Sequence, residues 1–227
     1  MELNTLKKLR FIVPGILLFI QFVLFFSIKD LNDITNYLEL HNVKNEISQF
    51  LFFISIIFIG ILYYTFDIRK KIFKRNFEYV ENNIKNKLLK PYENKYSTDE
   101  INNFKKGSKL INIFFYLIDN DASLKEKAKI VNFNGLIWTS LMDLLIISFF
   151  GFIIFFIRCF VIPVIFHFIS YFDYSMAMAI ANFVITFISA FFVSFLTEKH
   201  VSLGNEQLEI IHQIHKKELD RRISDLL

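Results

Sequence analysis

Asp143 lies inside an apolar run, Leu136–Ile157, with Thr139 one helical turn before it on the same face. A carboxylate at that depth of a bilayer costs roughly 2.5–3.5 kcal/mol on insertion scales, so it must meet other helices, meet water or be protonated. A second apolar run, ending near Leu196, carries Ser175, Asn182, Thr186 and Ser189 at spacings of seven, four and three. Those spacings put all four on one stripe of a helix, with Ala179 on the same side. Gln21 and Ser55 sit near the middle of two further apolar runs. If the last two runs are antiparallel, Ser189 falls near the depth of Asp143 and Asn182 closer to the outer surface. The stripe has two readings. It lines or gates a polar pathway, or it makes helix–helix hydrogen bonds in lipid and conducts nothing. For Ser, Thr and Asn the packing reading is favoured. For Asp143 the functional one is, because a carboxylate is a costly way to make a packing contact. The expected role of Asp143 is to set cation preference or gating in an oligomeric pore.

A second group of candidates is basic. Residues 67–134 hold fifteen Lys/Arg against nine Asp/Glu. Arg69, Lys70, Lys71, Lys74 and Arg75 follow one apolar run, and Lys125, Lys127 and Lys129 precede the next. This excess suits a docking surface for a nucleotide-like regulator, a nucleic acid or an acidic cytosolic protein. It equally suits the positive-inside rule, with anionic headgroups as the partner. No nucleic-acid-binding motif accompanies it. His212 and His215, with Glu218 three further on, have a spacing that can hold a metal on a helix but lack a complete ligand set. They read better as flanks of a packing seam, so no metal and no cofactor is expected. Cys159 is the single cysteine, which excludes an internal disulfide. Phosphate-binding glycine loops, nucleophile elbows and paired-carboxylate motifs are absent, so no enzyme is expected.

The elements that must position these residues are long apolar helices. Hydrophobic residues make up 54% of the 227-residue chain, 30 of them Phe, with mean hydropathy +0.41 concentrated in blocks. That distribution marks a membrane protein. Phe11–Ile28 reads as a retained signal-anchor helix, since no cleavage site follows. Lys29–Gln49 is a polar, acidic connection. Phe50–Phe66 is the second span, and the basic cluster after it is a stop-transfer signal. Its continuation should be helical until Pro91. Ser97-x-x-Glu100 and Ser123-x-x-Glu126 read as capping boxes, the first opening a helix with an apolar stripe at Ile101, Phe104, Ile111, Phe115 and Ile118. Trp138 sits where an interfacial anchor is expected. A straight helix from Leu136 to Phe172 would be about 55 Å long against a ~30 Å hydrocarbon core, so Arg158–Phe172 must tilt, kink or fold along the interface, with Arg158 snorkelling to headgroups. After a break at Gly204-Asn205, Leu208, Ile211, Leu219, Ile223 and Leu226 line one face of an amphipathic helix.

The expected fold is all-α, a polytopic membrane protein with four transmembrane helices and both ends cytosolic in the plasma (inner) membrane. Its parts are a two-span unit over 1–66, a basic cytosolic helical insert over 67–134, a second two-span unit over 135–197 and an amphipathic tail over 198–227. A chain this small must form a homo-oligomer to enclose a pathway. The expected function is a gated channel or membrane-perturbing effector whose insert senses a signal. This architecture is similar to that of bacterial stress and phage-defence effectors, although no residue motif marks such a family. The alternative is a non-conducting scaffold or immunity-type protein that binds a partner through insert and tail. If the polar stripe conducts, Asp143→Ala will lower ion flux and relieve any toxicity on expression; identical flux from variant and wild type rejects that role.

Overall fold

The computed structural model describes residues 3–26, 46–166 and 172–226. Every regular element among them is helical. In chain order they are α1 (Leu3–Phe26), α2 (Glu46–Thr65), α3 (Ile68–Ile72), α4 (Lys74–Leu89), a 3-10 turn (Lys90–Tyr92), α5 (Thr98–Lys105), α6 (Lys109–Asp119), α7 (Ala122–Phe166), α8 (Phe172–Ile214) and α9 (Lys216–Ser224). Segments Lys8–Phe25, Ala122–Phe160 and Asp173–Ile214 are long and apolar enough to cross a membrane, which marks the chain as a membrane protein. The expected polar connection over 29–49 lies outside the described residues except for the start of α2. Of the stretch Arg158–Phe172, α7 takes the part up to Phe166, and 167–171 fall outside.

The described chain divides into two compact units, to which α1, α7 and α8 each contribute. The first unit takes Phe73–Ile137 and Ser194–Leu227 with the start of α1. Its core is apolar in the manner of a protein folded in water. Leu88, Leu89, Phe104, Leu110, Phe114, Leu117, Leu124, Leu208, Ile211, Leu219 and Ile223 are all buried together. Insert and tail, read above as separate segments, thus share one core. α4 runs parallel to the end of α8, with Asn76 on Thr197 (3.2 Å), Asn83 on Asn205 (2.8 Å) and His212 on the Lys87 carbonyl (3.1 Å). The start of α7 runs antiparallel to the same helix through Lys127–Glu206 and Asn134–His200.

Several local expectations change. α8 continues through Gly204-Asn205 and breaks only at His215. A helical glycine costs about 1 kcal/mol, whereas burying Leu208 and Ile211 on the continued helix stabilises by about 1.5–3 kcal/mol each. Burial therefore outweighs the glycine, and the helix runs on. Gly107, at φ +70°, does break the helix expected after Ser97, leaving α5 and α6 as separate pieces. The stripe therefore restarts in a new register: Leu110, Ile113, Phe114, Leu117 and Ile118 are buried, and Phe115 is exposed. Ser97 and Glu100 form the expected reciprocal capping box, and that pairing holds the Glu100 carboxyl below the usual range. At α7 the cap is Asp121, not Ser123: Asp121 Oδ1 accepts from Leu124 N at 2.7 Å. That bond, followed by the contact of its other oxygen with His215 Nε2 (3.0 Å), lowers the Asp121 pKa. Trp138 is buried instead of facing an interface. The Glu218 carboxyl, clamped first by Arg221 and then by Arg222, is pulled down to about 2.

The second unit, Lys7–Ile72 with Trp138–Val193, is built the other way round. Most of its exposed side chains on α1, α7 and α8 are large and apolar, among them Ile20, Phe22, Phe150, Phe187 and Phe191. Its buried ones include Asp143, Ser148, Ser175, Asn182 and Ser189. Hydrocarbon as solvent demands this inversion. Where α1 meets α2, side chains are dispensed with. A Cβ on Gly15 would strike the Ile56 carbonyl, and one on Gly60 the Phe11 carbonyl.

If insert and tail share one core, Leu219→Ala will lower the unfolding free energy by about 2–5 kcal/mol. Ile214→Ala, at a position 67% exposed, will change it by less than about 0.5 kcal/mol. Denaturation of the purified variants in detergent distinguishes these outcomes.

Candidate functional site

Asp143 is placed by α7 in the interior of the second unit, with 1% of its side chain exposed. Three donors converge on it. Arg69 Nε donates to Oδ1 at 2.7 Å, Arg69 Nη2 to Oδ2 at 2.5 Å, and the Tyr63 hydroxyl to Oδ1 at 2.9 Å. This is a bidentate guanidinium–carboxylate fork with one further hydrogen bond, the arrangement in which a buried ion pair recovers most of its desolvation cost. Arg69 is itself only 12% exposed. Arg69 Nη2 also reaches the Arg10 carbonyl at 3.5 Å.

A backbone turn makes the fork reachable. α2 ends at Thr65, and Asp67 adopts φ +50°, a left-handed conformation that Asp tolerates better than most residues. Asp67 N donates to the Tyr64 carbonyl (2.9 Å), and its own carbonyl accepts from Lys71 N (3.0 Å), which starts α3 in a new direction. Tyr63, on the last turn of α2, and Arg69, on the first turn of α3, then converge on one carboxylate. A single helix continuing from α2 to Pro91, as the sequence suggests, would place these two side chains six positions apart, on different faces.

A neutral group lies further along the same unit. Gln21 Nε2 donates to Asn182 Oδ1 at 2.6 Å, and Asn182 Nδ2 donates back to the Met178 carbonyl at 2.9 Å. Gly151 makes room for them: a Cβ there would stand 2.7 Å from Asn182 Oδ1 and 2.9 Å from Gln21 Oε1. Thr186 Oγ1 lies 3.0 Å from Ser148 Oγ, whose own proton goes to the Leu144 carbonyl at 2.6 Å. Ser189 is buried, and its Oγ has no hydrogen-bond partner among the described residues. Thr139 is buried one turn before Asp143. The structure thus joins Gln21 to Asn182 and Thr186 to Ser148, and it places Asp143 in a separate charged cluster.

Arg158 departs from expectation. Its Nη1 donates to the Phe25 carbonyl (2.5 Å) and its guanidinium lies over the Phe25 and Tyr174 rings, while Tyr174 OH donates to the Leu24 carbonyl (2.8 Å). Two side chains thereby donate to backbone carbonyls of α1, and the Arg158 cation also lies against two aromatic rings.

The basic candidates divide between the units. In the second, Arg69 is committed to Asp143, and Lys70 and Lys71 are exposed. In the first, Lys74, Lys127 and Lys129 pair with Glu78, Glu206 and Glu126. Lys125 reaches the Asp119 carbonyl at 3.4 Å, and Arg75 is exposed. His212 and His215 turn to different partners, a carbonyl and Asp121. Among the described residues no three His, Cys, Asp or Glu side chains stand close enough to hold a metal.

Tyr63, Ser148 and Gly151 were not singled out in the sequence. Tyr63 offers in the sequence only its place at the end of the second apolar run, Ser148 falls outside the stripe of the last span, and Gly151 has no signature of its own. Comparison with protein-family models, characterised proteins and solved structures yields no match.

Breaking one side of the buried pair, by Arg69→Ala or Asp143→Ala, will cost about 3–5 kcal/mol because a charge is left uncompensated. The double variant Arg69→Met/Asp143→Leu will be more stable than either single variant. Thermal unfolding of the purified proteins in detergent checks both statements; additive single and double effects reject the pairing.

Proposed function

We propose that the chain is a multi-pass plasma (inner) membrane protein that acts as a non-conducting scaffold, holding a partner through the helical unit built from insert and tail. The observation that carries this reading is where the polar groups of the membrane unit point. A pore formed between copies needs a polar strip on an exposed face, yet the described exposed residues of α1, α7 and α8 in that unit are Ile, Phe, Val and Ala, with Lys8 and Asp173 near helix starts. A pore within one chain needs polar side chains around a water column, yet Gln21, Asn182, Thr186, Ser148 and Asp143 are engaged with one another or with neighbouring helices. Asn182 and Thr186 of the polar stripe are engaged in packing contacts, which supports the packing reading, while the Ser175 and Ser189 hydroxyls have no partner among the described residues.

The topology we adopt has four spans, with the 20-residue α2 as the second; its length of about 30 Å matches a hydrocarbon core. Lys70, Lys71, Lys74 and Arg75 after α2 support a topology in which the first unit and both chain ends are cytosolic. The first unit, with a core suited to water, then presents its charged surface to an acidic cytosolic protein or a nucleotide-like regulator. The expected gated channel or defence effector, as a homo-oligomer, requires in addition a rearrangement that turns the Asn182–Thr186–Ser189 face from helix to water.

Ion flux into liposomes carrying the purified protein separates the two. The scaffold reading expects flux at the level of protein-free liposomes and an unchanged membrane potential in expressing cells. Flux that is abolished by Asn182→Leu overturns it in favour of the channel.

A further inference from the structure

We propose that Arg10 binds the phosphate group of an anionic phospholipid. Arg10 Nε is buried and no group among the described residues accepts its proton. Asp143, the carboxylate of this region, is shut off by Arg69 and Tyr63 and is 1% exposed. Arg69 Nη2 reaches the Arg10 carbonyl, so both arginines belong to one corner of the second unit. Two guanidinium groups share that corner with one buried carboxylate, which Arg69 occupies; Asp67 nearby in the chain is exposed and pairs with neither arginine. Arg10 enters no ion pair among the described residues.

An enclosed N–H without an acceptor costs the full desolvation of that donor, so such a group marks a place where a partner belongs. The partner must be an anion that offers two or more oxygens to a planar fork, which is the geometry of a phosphate group. Its surroundings favour a lipid as the source. Phe66, 60% exposed, and Tyr64, whose ring is tilted against that of Phe11 at 4.5 Å, offer apolar surface in the same unit, and Lys8, Lys70 and Lys71 are exposed cations there. Acyl chain, phosphate and a net negative headgroup each find a matching surface.

The full chain is reconstituted in phosphatidylcholine nanodiscs with increasing phosphatidylglycerol, and separately held in detergent with inorganic phosphate. Phosphatidylglycerol is expected to raise the Tm and to stay bound through delipidation, read by native mass spectrometry, where phosphatidylcholine does not. Arg10→Gln is expected to cut that retention at least about tenfold, the equivalent of one charge-assisted hydrogen bond. Arg10→Lys keeps the charge but loses the fork, so its retention falls between the two. Equal retention of the two lipids by wild type overturns the site, and so does undiminished retention by Arg10→Lys. A loss that follows Lys70→Gln/Lys71→Gln more than Arg10→Gln also overturns it, by assigning the effect to diffuse surface charge. A Tm rise with inorganic phosphate as large as with phosphatidylglycerol, and equally dependent on Arg10, overturns the lipid as source. Should Arg10→Gln fail to fold, the wild-type lipid preference and Arg10→Lys still decide.

Discussion

The pairing of Asp143 with Arg69 is the interaction on which the membrane unit depends. Neither charge is tolerable alone in that interior: an unpaired ion there costs several kcal/mol, of the order of a whole domain's net stability. Their fork therefore constrains everything that supplies it. Asp67 must hold its left-handed turn so that α3 departs at the angle that brings Arg69 round. α2 must stand where Tyr63 reaches the same carboxylate, and the bare backbone contact at Gly15 and Gly60 fixes where α2 lies against α1. A larger residue at either glycine would displace the helix that carries Tyr63 and leads into Arg69. Backbone packing and electrostatics are thus one constraint seen from two sides.

One chain here solves the folding problem for two solvents. In the first unit, Leu88, Leu110, Leu219 and Ile223 are inside, and the desolvation of apolar surface drives assembly. In the second, apolar surface gains nothing by turning inward, since lipid is as apolar as Phe; hydrogen bonds and close packing hold the helices. α7 and α8, with 45 and 43 residues, are each about 65 Å long, twice the ~30 Å hydrocarbon core, so neither can lie wholly within it. Each helix changes its burial rule along its length. Leu208 and Ile211 are buried at one end of α8, and Asn182 and Ser189 at the other, while Phe187 and Phe191 are exposed.

Much of this was legible in the sequence, and the failures have a common cause. Three apolar runs and the Ser97 cap are local patterns that the structure shows, whereas the Ser123 cap and the stripe after Ser97 were equally local and did not hold. The acid at 143 and the cations at 69–75 are both visible, but they belong to two rules that never meet in sequence: insertion cost for one, positive-inside for the other. Their contact spans 74 positions, and nothing short of the fold reveals it. The same holds for the break expected at Gly204, where a local glycine penalty was outweighed by the distant α4 and α6. At α7, Asp121 and Ser123 are both competent caps. Asp121 also meets His215, a residue far along the chain, and that second bond has no local signature.

These pairings bear on what the polar stripe is for. A side chain that lines a pathway must exchange partners with water at little cost, so it keeps a donor or acceptor in reserve. Asn182 keeps little: its amide oxygen is taken by Gln21, its nitrogen by the Met178 carbonyl, and Gly151 is shaped to admit the pair. Ser148 has given its proton to its own helix, and the one Thr186 proton is shared between the Asn182 carbonyl and Ser148 Oγ. Asp143, which alone could attract a cation, is neutralised by a fork with nearly all its lone-pair directions filled. Opening a water path along this face would mean breaking these bonds together, at a cost of about 1 kcal/mol for each neutral bond and more for the ion pair. Such a cost is easily met by a binding event of ordinary affinity, but nothing of lower energy would meet it. The groups that are bonded, Gln21 with Asn182 and Asp143 with Arg69 and Tyr63, tie one helix to another, whereas the Ser175 and Ser189 hydroxyls have no partner among the described residues.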